Sequence, residues 1–177
     1  MTILFSSLRL DLCFINILST LLIPKLTDND NKISHTKYEF LNRDLVVSNS
    51  KFNVFYDHLI THEGEEINDF LVIQPKKINS ENIVGICVLP VYEDKFYLMK
   101  GWRHQFEDFI YQAPTGFIET NESSSESSIR ELHEETSFIC ESENMISLGK
   151  FLPDAGLIEG YVALFLALNC KISRNKS

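Results

Sequence analysis

The sequence predicts an α/β fold, a mixed sheet flanked by helices and preceded by a small β-meander. Three stretches carry that reading. Residues 116–138, GFIETNESSSESSIRELHEETSF, contain one amphipathic helix. Residues 83–91 form a continuous apolar run of the kind found in a central strand. Residues 38–73 alternate short β-prone segments with turn signals.

The helix is the most informative element. At about 100° of rotation per residue, Glu131, Glu134 and Glu135 fall on one side, and Ile129, Leu132 and Thr136 on the other. The second side can dock on a core. Like charges one turn apart repel, so the first side calls for a compensating cation. Mg²⁺ and similar hard ions take carboxylate and carbonyl oxygens and keep waters for a phosphate-bearing ligand.

The remaining elements follow in chain order. Residues 1–23 are apolar but interrupted by Arg9, Asp11 and Asn16, too short and too polar for a membrane span. They lack the basic start and small-residue cleavage site of a signal peptide. A docking helix or non-native upstream sequence is expected instead, with TDNDNKIS at 27–34 as a polar linker. Residues 1–37 are thus an extension, and 38–177 the main domain. Strands are expected at 45–47, 52–56 and 70–73, with a turn around Gly64. The run at 83–91 and the segment 96–99 should be central strands joined by a Glu93-Asp94 turn. Residues 101–103 continue the second of them, and 109–113 lead into Pro114-Thr115-Gly116. The serine run at 123–128 supplies small residues and caps to the helix. A connector with a short strand at 139–150, a loop at 151–160 and a last strand at 161–168 complete the domain.

Composition narrows the function. A chain of 177 residues with 44% hydrophobic content suits one globular domain. The net charge of −9 excludes non-specific binding to nucleic acid or an anionic membrane, since both need a basic surface. Cys13, Cys87, Cys140 and Cys170 show neither zinc nor redox spacing, which fits a reduced, cytoplasmic setting. The five histidines have no metal-ligand spacing either, and His133 lies on the helix flank.

Gly116, Glu122, Arg130-Glu131-Leu132 and Glu134-Glu135 are separated by five, seven and one residues, an order and spacing that resembles the Nudix box, with Ser137 where that family has its second glycine. The likeness extends over residues 38–169 and resembles the ADP-ribose pyrophosphatase branch. Its markers include the YEFLN start, the proline-glycine entry to the helix, and Pro153 beyond the box.

The resemblance implies a Nudix-type α/β/α sandwich with a mixed β-sheet behind an N-terminal β-meander. It implies Mg²⁺- or Mn²⁺-dependent hydrolysis of ADP-ribose or a related nucleoside diphosphate sugar, with a homodimer as the working form. Glu131, Glu134 and Glu135 would be catalytic and metal-binding, and Thr115 would lend its backbone carbonyl to the metal. Arg103 would face the diphosphate and Glu159 the nucleoside side. Gly116, Glu122 and Arg130 would shape the box, and Gln112 stands where the family often has a glutamate. Relatives usually continue past the last strand into a loop with another catalytic glutamate and a final helix. The sequence ends at Ser177, so that glutamate is expected to be missing, replaced or lost to truncation. The alternative is a Nudix-fold module that binds nucleotide without useful turnover.

Overall fold

The structure is a computed structural model that describes residues 3–4 and 37–173. The readings of residues 1–36 as docking helix and linker, and the last residues 174–177, fall outside the described residues, apart from the short strand at 3–4. In chain order the elements are β1 (Ile3–Leu4), β2 (Glu39–Ser48), β3 (Phe52–Ile60), β4 (Glu66–Pro75), β5 (Ile83–Tyr92) and β6 (Lys95–Arg103). They continue with β7 (Asp108–Gln112), β8 (Thr115–Phe117), α1 (Ser124–Thr136), β9 (Phe138–Ile139), β10 (Met145–Phe151), β11 (Tyr161–Ala167) and β12 (Lys171–Ile172). The described residues divide into two units.

One unit contains the meander, with strand order β2-β3-β4, together with residues 153–160. Its turns have local causes. The Asn49 side chain accepts the Lys51 and Phe52 N–H groups, each at 2.8 Å, and Gly64 supplies φ +85° between β3 and β4. Ile158 bridges to Ile73 in parallel, which ties the 153–160 segment to β4. Asp57 is buried and meets the Arg43 fork twice, at 2.6 and 2.8 Å. A buried carboxylate is tolerated when it is so paired.

The other unit holds α1 and the mixed sheet, in the order β1-β6-β5-β11-β10 with β7 on β6 and β8 on β5. Only β11 and β5 run parallel; the remaining pairs are antiparallel. β5 is the central strand, and burial on both faces explains why it reads as an unbroken apolar run. Glu93 and Asp94 both adopt positive φ, 48° and 58°, the geometry a two-residue hairpin demands. The core joins Ile86, Val88, Ile118, Leu132, Phe138 and Phe165.

The apolar side of α1 meets this core through Leu132, which is fully buried, and through Ile129. Ser127 and Ser128 are fully buried as well, so the serine run does more than cap: small side chains let the helix lie close to its neighbours. Ser123 caps the helix in a reciprocal box with Glu126. Several strands extend further than the sequence pattern marks them, and β8, β9 and β12, of two or three residues each, are too short to carry a period. Among the described residues, no helix is long and apolar enough to cross a membrane.

Candidate functional site

The site begins at the end of β8. Backbone pairing of Thr115, Gly116 and Phe117 with Cys87, Ile86 and Gly85 of β5 sets Gly116 against α1. A Cβ built on Gly116 would overlap the Glu131 carboxyl group. The glycine is therefore required by close approach, its missing side chain forming the cradle in which that carboxyl lies.

A clasp then fixes the loop between β8 and α1. Glu122 accepts from Arg130 Nε at 2.9 Å and Nη2 at 3.0 Å, and from Ser127 Oγ at 2.5 Å. These bonds, the arginine's first among them, hold the Glu122 carboxyl at about 2, well below its ordinary 4.5. Arg130 also donates to the Phe117 carbonyl at 3.3 Å. Loop and helix are joined through one guanidinium.

The same guanidinium reaches the carboxylate side of the helix. Its Nη1 donates to Glu131 at 2.8 Å and to Glu134 at 3.2 Å. Glu135 instead accepts the Thr115 N–H at 2.9 Å. Partial desolvation raises the Glu135 carboxyl above the usual range, the Thr115 N–H opposes that rise, and the negative charges of Glu131 and Glu134 add to it. Arg103, at the end of β6, acts on Glu135 with the opposite sign. Gln112 accepts a hydrogen bond from Arg103 Nη2, which secures the arginine.

The crystal structure of an ADP compounds hydrolase matches this chain with a TM-score of 0.66 at 19% identity, over 80% of this chain and 72% of that one. The fold is of the Nudix type. No family model and no curated protein sequence matches the chain.

Within this Nudix-type fold, Glu131, Glu134, Glu135, Thr115, Gly116, Glu122, Arg130 and Arg103 all belong to the unit that contains α1. Glu159 belongs to the other unit, where it accepts from Arg43 at 3.1 Å and Gln74 at 3.3 Å. The carboxylate and carbonyl donors around Gly116 match the preference of a hard divalent cation. In this arrangement Arg130 occupies part of that role, and among the described residues no three His, Cys, Asp or Glu side chains are grouped as a ready metal site. Beside Glu135 lies a cleft of about 410 Å³ lined also by Tyr97, Met99, Lys100, Phe138 and Ile172. The sequence reading missed Lys100, whose ammonium sits over the Phe109 and Tyr111 rings at 5.8 and 5.6 Å.

Ser137 ends the helix with φ 61° and ψ 14°, its N–H donating to the His133 carbonyl. This left-handed position is the one glycine occupies at least cost. Ser137→Gly is accordingly expected to raise unfolding stability by about 1 kcal/mol, read from denaturant midpoints at unchanged slope. A loss of stability would contradict that assignment of strain.

Proposed function

We propose that the chain is a metal-dependent pyrophosphohydrolase that cleaves the diphosphate bond of ADP-ribose or a related nucleoside diphosphate sugar, giving a nucleoside monophosphate and a sugar phosphate. The supporting observation is the cradle of Gly116 around Glu131, on a helix that also presents Glu134 and Glu135. The fold shared with an ADP compounds hydrolase supports the same substrate class.

Glu131, Glu134, Glu135 and the Thr115 carbonyl would hold Mg²⁺ or Mn²⁺. Such an ion, when bound, neutralises phosphate oxygens and lowers the pKa of a water. Glu134, whose side chain is 57% exposed, takes the attacking water's proton on its carboxylate. Arg103, steadied by Gln112, offers a permanent charge to the diphosphate. Glu159 would serve the nucleoside side. Gly116, Glu122 and Arg130 position the carboxylates without touching substrate.

A homodimer and a cytoplasmic location belong to the same proposal. The exposed apolar residues of β2, Phe40, Leu41, Leu45, Val46 and Val47, offer the kind of surface a second copy would cover. Nucleic acid is no partner in this reading.

The test is release of nucleoside monophosphate from a panel of nucleoside diphosphate sugars, dinucleotides and nucleoside triphosphates with Mg²⁺ or Mn²⁺. ADP-ribose should be turned over and a chelator should stop the reaction. Turnover confined to triphosphates would overturn the substrate class. A second reading, a nucleotide-binding module without useful turnover, is favoured by the hydrogen bonds of Arg130 to both Glu131 and Glu134. Nucleotide binding with no cleavage of any panel member would support it.

A further inference from the structure

Cys140 and Cys170 stand thirty residues apart in sequence, yet the fold places them face to face. β9 and β12 pair antiparallel with Ile139 opposite Lys171 and Phe138 opposite Ile172. One step further along that register puts Cys140 opposite Cys170. The Ser173 N–H donates to the Ser137 carbonyl at 2.9 Å, which makes 137/173 a hydrogen-bonded pair. By the alternation of an antiparallel ladder, 139/171 is hydrogen-bonded, while 138/172 and 140/170 are not. The Cys170 N–H turns away from β9 accordingly and donates to the Val91 carbonyl at 3.1 Å. Opposed residues at a non-hydrogen-bonded pair have Cα atoms about 4.5 Å apart, inside the roughly 4.4–6.8 Å range that a disulfide spans.

We propose that Cys140 and Cys170 are an oxidisable dithiol that closes into a disulfide across the β9–β12 ribbon, stapling the segment that leaves α1 to the strand that follows β11. Both residues are only 4% exposed, at the edge of the core, but the ribbon that flanks them is two residues long on each side and Ile172 is 58% exposed. Brief opening of so short a ladder admits a small disulfide. Cys170 is the attacking member, because the neighbouring Cys140 thiol holds its pKa down. Its thiolate attacks one sulfur of the small disulfide and expels the other as a thiolate. Cys140, deprotonated as it reacts, then attacks the Cys170 sulfur of the mixed disulfide and releases the second small thiol. Two protons leave the cysteines and two electrons pass to the small disulfide. In a reducing compartment the pair stays open and closes only under oxidative challenge.

The full chain is incubated with glutathione disulfide, quenched under denaturing conditions, and its thiols counted and its peptides mapped by mass. Titratable thiols should fall from the four of the sequence to two, with a linked Cys140–Cys170 peptide, and dithiothreitol should restore all four. The oxidised form should melt at a higher temperature, reversibly on reduction. Four persistent thiols, or a glutathione adduct that stays on either cysteine without a link, would overturn the proposal. Because Cys140→Ser could fail to fold, the C13S/C87S variant provides the second arm: it retains only this pair and should go from two thiols to none while remaining monomeric in non-reducing denaturing gels. Linkage between chains there would overturn it.

Discussion

Gly116→Ala is expected to lower turnover of ADP-ribose by about two orders of magnitude, the loss that follows when a reacting geometry is displaced by roughly 1 Å. The added Cβ would fall on the Glu131 carboxyl group. Either Glu131 moves or β8 and α1 separate, and both disturb the carboxylate face. Overpacking of this kind also costs about 1–3 kcal/mol of stability. Steady-state kinetics beside a denaturant titration separates the two effects. A variant as active as the parent would show that Glu131 has no need of its cradle.

The second large effect is expected from Arg130→Met. Its guanidinium joins Glu122, Glu131, Glu134 and the Phe117 carbonyl, so removal leaves Glu122 without its main partner and Glu131 and Glu134 facing each other uncompensated. Arg130 and Glu122 are each about a quarter exposed, and solvent screening tempers the loss to about 2 kcal/mol. The pH dependence gives the more specific readout. The folded-state pKa of Glu122 lies near 2, below its ordinary 4.5. A depressed carboxylate contributes stability that is fully present above the unfolded value and is lost as pH falls through the folded one. The gap between parent and variant should therefore be widest near neutrality and shrink from pH 4.5 toward 2. A gap that stays constant over that window would contradict the clasp.

The fold was legible where burial imposes a period or a turn imposes a conformation. The unbroken apolar run of β5 reads as a central strand because both its faces are covered. Gly64 and the Glu93-Asp94 pair mark hairpins because positive φ narrows the choice of residue. The helix was legible from the opposition of Leu132 to the three glutamates. Contacts between distant segments were not. Nothing in local pattern pairs Arg43 with Asp57 and Glu159, or sets Cys140 opposite Cys170, since strands of two residues each carry no period from which a register can be read. Ser127 and Ser128 read as small residues or caps, and their full burial depends on how closely α1 approaches its neighbours. In the site, the cradle of Gly116 is a close approach between β8 and α1 that no local pattern reveals.

The central claim is that the carboxylate face of α1 performs diphosphate hydrolysis. Its most direct test compares the intact chain with Glu135→Gln for both ADP-ribose cleavage and ADP-ribose binding in Mg²⁺. The account expects AMP and ribose 5-phosphate from the intact chain, and a loss of about a hundredfold or more in the variant, with the fold of the variant unchanged by circular dichroism. Equal cleavage by both proteins, or binding by the intact chain with no cleavage at all, would contradict it.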